Sequence, residues 1–223
     1  MNQIIQTLLK IKTIKLILGK LLLINTKIFW KYLSNANKDY KFISIKPDTY
    51  LHDFFIKEKN IGNVVELGSG YGDKLYNLHK LNILKLKGYE LNESKVLLGK
   101  NLIKNLNIKN IELITKDITN LTKSDFGDVD YFITSMSLIY LKKKELVKIL
   151  EIILHKSKRG FVLQEFSKNS KNLTGKTFYV HDYKDLFNQM GFYEKFNIEF
   201  NPIDYSYWKK NEGIAYQMTA KKK

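Results

Sequence analysis

Between Val64 and Gly72 the chain reads Val-Val-Glu-Leu-Gly-Ser-Gly-Tyr-Gly: a short apolar run, an acid, then three glycines at alternate positions. Few local patterns restrict a fold more. Asn63–Leu67 has the length and apolar character of a buried strand. The glycines let the main chain turn tightly and approach a ligand with no Cβ in the way. A helical stretch from Asp73 to about Leu81 follows, and its first turn offers free N–H groups. A dinucleotide fingerprint needs Gly or Ala three residues after Gly70, where Asp73 stands instead. An acid at that position also repels the pyrophosphate that a helix N-terminus otherwise attracts. The closing Gly-Lys-Ser/Thr of a phosphate-binding P-loop is missing as well. The turn therefore points to a nucleoside without phosphates. Its competitor is a plain tight strand-to-helix connection.

Beyond the turn, strands and helices alternate. Strands are expected at Leu84–Glu90, Ile111–Thr115, Val129–Thr134 and Gly160–Glu165, with helices at Ser94–Asn105, near Lys143–Leu154 and at His181–Met190. Phe192–Phe200 and Gly213–Ala220 read as two closing strands around a polar, aromatic loop. The expected class is α/β: a doubly wound, mostly parallel seven-stranded sheet with helices on both faces, a closing antiparallel strand and an N-terminal helical extension. The 223 residues suit one such domain, over 45–223, with the extension over 1–44.

The glycine segment resembles the first motif of the Rossmann-like (class I) S-adenosylmethionine-dependent methyltransferases, in which an acid precedes a Gly-x-Gly-x-Gly turn. The resemblance implies S-adenosyl-L-methionine as cofactor, with Glu66, Gly68, Ser69, Gly70 and Gly72 around it. Glu90, in Gly88-Tyr89-Glu90-Leu91-Asn92, ends the second strand 18 residues after Gly72. A carboxylate there accepts both ribose hydroxyls, and Leu91 lies beside it. Asp117, after the third strand, faces the adenine amino group in the resembled family, with the Ile118 amide near a ring nitrogen. Ser135, at the end of the fourth strand, borders the methionine moiety. Plainer readings compete: Asp117 as the start of a turn, Ser135 as a partner for local backbone, Glu66 as a capping or solvated acid. The resemblance covers Ile45 to Ala220.

Methyl transfer is an in-line displacement at a sulfonium-activated carbon, so the protein mainly positions the reactants and excludes water. A hydroxyl acceptor also needs a base. Tyr140, Glu165 and His181 are the candidates near strand C-terminal ends, Glu165 being expected to point toward the cleft rim. Glu165 as a solvated strand-end acid and His181 as part of a helix-capping neighbourhood with Asp182 are the alternatives. The other histidines, His52, His79 and His155, show no ligand spacing, and no metal is expected. Cysteine is absent, which excludes disulfides, thiolate zinc sites and cytosine C5 chemistry by a cysteine nucleophile.

Composition narrows the acceptor. Lys plus Arg number 38 against 22 Asp plus Glu, yet Arg159 is the only arginine, so sequence-specific nucleic-acid recognition is not expected. Thr134-Ser135-Met136-Ser137 is also not the Asp/Asn-Pro-Pro-Tyr/Phe motif of amino-group nucleic-acid methyltransferases. The compact core looks like enzymes acting on small molecules or glycans, and Tyr205-Ser206-Tyr207-Trp208 reads as an aromatic wall for an acceptor or as a hairpin tip. Residues 1–35 carry six lysines and no acid among many Ile and Leu, without the roughly 18 uninterrupted apolar residues of a membrane span. They read as a helix lying on an anionic membrane surface or packed on the domain. A cytoplasmic protein, peripheral on the inner face of a membrane in the first case, is expected. Three functions follow in order: O-methylation of a small molecule or glycan, membrane-associated protein-lysine N-methylation, and a non-catalytic binding subunit on the same fold.

Overall fold

The computed structural model describes residues 31, 40–42, 48–166, 179–203 and 215–223. Seven strands form one sheet: β1 Asn63–Leu67, β2 Lys85–Glu90, β3 Ile111–Thr115, β4 Val129–Ser135, β5 Ser157–Phe166, β6 Phe196–Ile203 and β7 Ala215–Lys222. Their order is β3-β2-β1-β4-β5-β7-β6. The first five are parallel, and β7 runs antiparallel between β5 and β6. This is the expected doubly wound sheet with an antiparallel closing strand.

Alternation along the strands divides the core. Val65, Leu67, Phe132, Phe161 and Leu163 face one way, where they meet α4 (Lys143–Lys156), α5 (Tyr183–Gln189) and the short α6 (Phe192–Lys195). Val64, Tyr131, Ile133 and Val162 face α1 (Thr49–Phe55), α2 (Asp73–His79) and α3 (Glu93–Asn105). A side chain such as Phe161, with no exposed surface, contributes about 2–3 kcal/mol by burial. Both faces are thus covered, as a parallel sheet requires.

Two local expectations are corrected. Residues 192–195 are helical rather than strand: Gly191 adopts φ 74° before them, and the turn brings Phe192 and Phe196 together on Phe161 at 5.5 Å each. Helix α1 was not expected. Asp48 caps it, its Oδ1 accepting from the Leu51 N–H at 3.1 Å, and Leu51 and Phe55 bury themselves in the core. The leader at 1–30 and the aromatic run at 205–208 lie outside the described residues.

Sheet order determines where a ligand fits. Connections leave β1 toward β2 and β3 on one side and reach β4 and β5 on the other. Strand direction of travel therefore reverses between β1 and β4, and ligands of open α/β sheets bind in the crevice outside the carboxyl ends of the strands at such a switch point.

Candidate active site

The glycine loop forms one wall of that crevice. Gly68 and Ser69 donate their N–H groups to the Tyr89 carbonyl at 2.8 and 3.0 Å, which ties the loop to the end of β2. Gly68 has φ 79°, and a Cβ there would collide with Ser137 Oγ. Gly70 has φ 55° and nothing within 4 Å of where its Cβ would stand. One glycine is needed for close packing, the other at an open wall.

Glu90 links this loop to the next helix. Its Oε2 accepts from the Gly70 N–H at 2.9 Å and its Oε1 from the Asn92 N–H at 2.8 Å. Asn92 then caps α3, its Oδ1 accepting from the Lys95 N–H at 3.1 Å. The carboxylate is oriented from both sides, and each oxygen has a further lone pair. Leu91 lies between these anchors. The Lys116 N–H donates to the Glu90 carbonyl at 2.9 Å, placing Asp117 just past the end of β3 beside β2. Asp117 Oδ1 accepts from the Thr119 N–H and hydroxyl at 2.9 and 2.7 Å, capping the turn Ile118–Asn120, in which Ile118 is buried. Glu66, Glu90 and Asp117 therefore stand at the carboxyl ends of three adjacent parallel strands.

Glu66 is buried, and its Oε2 has no hydrogen-bond partner; neither has the buried Ser69 hydroxyl. Burial drives the Glu66 carboxyl well above the usual carboxylate range; Lys74 opposes this, and Asp73 and Glu90 add to it. Two unpartnered buried oxygens at a glycine loop are costly unless a ligand supplies donors. Tyr40 stacks on Tyr71 at 3.9 Å, and Asp73 accepts a hydrogen bond from its hydroxyl. Phe42 stacks on Tyr76 at 4.8 Å. Residues assigned above to the extension thus pack on the glycine loop and α2. Spacing held no signal for Tyr40, since its partners are distant in sequence.

The opposite wall follows β4. Ser135 ends the strand, and its carbonyl accepts from the Ser137 hydroxyl at 3.2 Å. Met136 takes φ 52°, and a short turn Leu138–Tyr140 comes next. Here the expectation for Glu165 is corrected. It does not reach the cleft rim: it is 0% exposed, beneath the β4 turn. Its Oε1 accepts from the Thr134 hydroxyl at 2.6 Å and from the Ser137 and Leu138 N–H groups at 3.1 Å each. Burial pushes its carboxyl up to about 7 against the pull of these donors. Buried flanking residues on β4 and β5 shield the strand end that sequence suggested was open.

His181 is also buried, its Nε2 lying 2.9 Å from the Leu141 carbonyl. A carbonyl only accepts, so this nitrogen carries the proton and Nδ1 the lone pair. Burial lowers the ring's pKa, the Leu141 bond opposes that, and Lys143 lowers it further, so the imidazole is neutral near pH 7. Tyr183 packs edge-on to it at 6.0 Å, and Asp182 caps α5, the alternative reading of this segment. Tyr140 is half-buried; burial, then the charge on Glu165, push its phenol up to about 12. It is no base at neutral pH. A cavity of about 590 Å³ between α3 and the edge strand β3, lined by Lys100, Lys104, Glu112 and Thr115, holds none of these groups.

An open sheet of this order, a glycine turn after β1 and acids at the ends of β1, β2 and β3 define the class I methyltransferase fold. A family model described as "Methyltransferase domain" matches residues 58–195, more than half of the chain, and the chain belongs to that family. With its glycine loop and strand-end acids it is an S-adenosylmethionine-dependent methyltransferase. No curated protein matches the sequence. Among solved structures, magnesium protoporphyrin IX methyltransferase from Synechocystis PCC 6803 with bound SAM is similar over 79% of this chain and 77% of that one, at 17% identity and TM-score 0.60. The N-terminal domain of EvdMO1 with SAH bound is similar over 80% and 82%, at 16% and 0.62. An rRNA methylase from Streptococcus thermophilus is similar over 80% and 98%, at 16% and 0.57. Such identities establish a shared fold.

Proposed function

We propose that this methyltransferase transfers the methyl group of S-adenosylmethionine to an oxygen of a small-molecule or glycan acceptor. The donor lies in the crevice between the β1 and β4 loops. Glu90, already aligned by two backbone amides, accepts from the ribose hydroxyls. Glu66 turns its unpartnered oxygen to the donor's polar groups, the fit that a nucleoside with an amino acid tail supplies, and Ser69, its hydroxyl against Gly88 of β2, shapes the loop around the donor. Asp117 and the Ile118 amide border the adenine, Leu91 flanks the ribose, and Ser135 borders the methionine moiety. Gly68, Gly70 and Gly72 keep Cβ atoms out of the way.

When bound, the donor supplies a sulfonium-activated methyl carbon. The chain's own part is to align the acceptor and to take its proton. The donor would give this carbon to the acceptor oxygen and leave as the thioether, and His181 Nδ1 takes the acceptor's hydroxyl proton. The neutral, buried imidazole beside the β4 turn is the observation that carries this reading, because its tautomer leaves Nδ1 basic. Glu165 is committed to the turn and does not act as the base. Tyr140, held protonated, orients the acceptor.

Purified protein is incubated with labelled donor and with extracts divided into small-molecule, glycan, lipid, protein and RNA fractions. Label should enter the small-molecule or glycan fraction, and His181→Gln should lower turnover about 100-fold or more while donor affinity stays within about threefold. Label in protein lysines or RNA would replace this reading. So would unchanged turnover in His181→Gln.

A further inference from the structure

We propose that Glu165 is a positioning residue that brackets the turn after β4 against the glycine loop and so sets the width of the crevice on its methyl side. The bracket has three links. Glu165 Oε1 holds the Ser137 and Leu138 amides and the Thr134 hydroxyl from within the core. Ser137 turns its hydroxyl the other way, toward the Gly68 carbonyl at 3.3 Å, shared with the Ser135 carbonyl. Gly68 lets this hydroxyl sit where any Cβ would collide with it. The bracket thus spans the gap between the β1 and β4 loops, where the sheet order opens the crevice.

The turn needs such restraint. Met136 is held at φ 52°, a left-handed conformation that costs a non-glycine residue about 1 kcal/mol, and it persists only where neighbours over-determine it. Its N–H is taken by the Gln164 carbonyl at 2.8 Å, the residue before Glu165. Leu138 and Ile139 are fully buried beneath the turn. Two successive residues of β5 therefore grip two successive parts of one turn. The Thr134, Ser137 and Leu138 donors converge on Oε1, while Oε2 is buried without a partner, so a glutamine keeps these three bonds through its carbonyl with its NH2 in the place of Oε2. That separates positioning from proton transfer.

The inference rests on the donor lying in this crevice, and its test distinguishes the two. Affinity for S-adenosylhomocysteine is measured by calorimetry, and exchange of the Ser137 and Leu138 amides by NMR, in wild type, Glu165→Gln, Glu165→Leu, Ser137→Ala and Glu90→Ala. Glu165→Gln should stay within about threefold in affinity, and Glu165→Leu should lose about tenfold or more and speed exchange at both amides, the scale of a lost hydrogen bond to a charged group. Ser137→Ala, which removes the hydroxyl shared between the Gly68 and Ser135 carbonyls and leaves the bonds to Glu165 in place, should weaken affinity severalfold with little change in melting temperature, and it decides the matter if Glu165→Leu does not fold. Wild-type affinity in Ser137→Ala, or equal damage in the Gln and Leu variants, overturns the bracket. Should Glu90→Ala bind normally, the donor placement fails and amide exchange alone judges the bracket: unchanged exchange in Glu165→Leu, or in Ser137→Ala if Glu165→Leu does not fold, refutes it.

Discussion

Single atoms at the strand ends carry most of the chemistry. Glu90 is the sharpest case: two main-chain amides fix its carboxylate before any ligand arrives. Glu90→Ala should weaken S-adenosylhomocysteine binding about 100-fold, since two charge-assisted bonds to the ligand are lost, and Gly70→Arg should abolish it by filling the open wall. Calorimetry showing unaltered affinity in both refutes the placement. Glu165 has a separate signature in pH. Its folded-state value, about 7, lies above the ordinary 4.5. Between these values the folded state holds the extra proton, so this carboxyl's stabilisation is complete below the unfolded value and is lost as pH rises through about 7. Wild type should lose on the order of 3 kcal/mol more than Glu165→Gln between about pH 4 and about pH 8. Urea melts across that range would contradict the assignment if the two curves ran parallel. Glu66, Glu90 and Asp117 were legible in sequence because each sits at a strand end, a position that periodicity locates. Tyr40 and Ser137 were not, because their importance comes from contacts that only the closed sheet creates.

Secondary elements show the same division. The strands through β5 were readable from apolar runs and turn residues, and their observed bounds shift by a few residues. Residues 192–195 were misread because Phe192 and Phe196 serve a buried face in either conformation, and Gly191 at φ 74° decides for helix. Helix α1 has seven residues, too few for a helical period to show in the sequence; tertiary contacts stabilise it. Gln164 on β5 donates to Asp48 Oδ1 at 3.1 Å and to Gln217 Oε1 at 2.9 Å, while Gln217 donates to the Tyr50 carbonyl at 3.2 Å. The cap, β5 and β7 form one partly buried polar network. Asp48→Ala should therefore cost about 1–2 kcal/mol, more than an exposed cap, and loosen α1 first. Denaturant melts with exchange at the Leu51 amide measure both effects, and a loss under about 0.5 kcal/mol would show that α1 is held by apolar packing alone.

At the scale of the molecule, the two ends of the sheet do different work. The crevice occupies the carboxyl end. Near the amino ends of β4 and β5, Glu58 collects the Tyr131 hydroxyl at 2.6 Å, Arg159 at 3.1 Å and Lys221 at 2.5 Å, joining the segment after α1 to β4, β5 and β7. Arg159 also donates to the Lys59 and Asn60 carbonyls at 2.7 and 3.2 Å. The chain's one arginine is thus spent on a fork that lysine's single ammonium cannot reproduce. Glu58→Ala should lower stability by about 2 kcal/mol through the stranded Tyr131 hydroxyl and cations, with donor affinity unchanged. A thermal shift paired with calorimetry separates the two, and a fall in affinity would mean that the ends are coupled.

Strand β7, made after the other six, fills the slot between β5 and β6. While the ribosome is still working, β5 therefore has one bare edge and β6 has no sheet to join. An unfinished chain offers that bare edge to any neighbouring polypeptide, and a chaperone that masks strand edges would matter most in this interval.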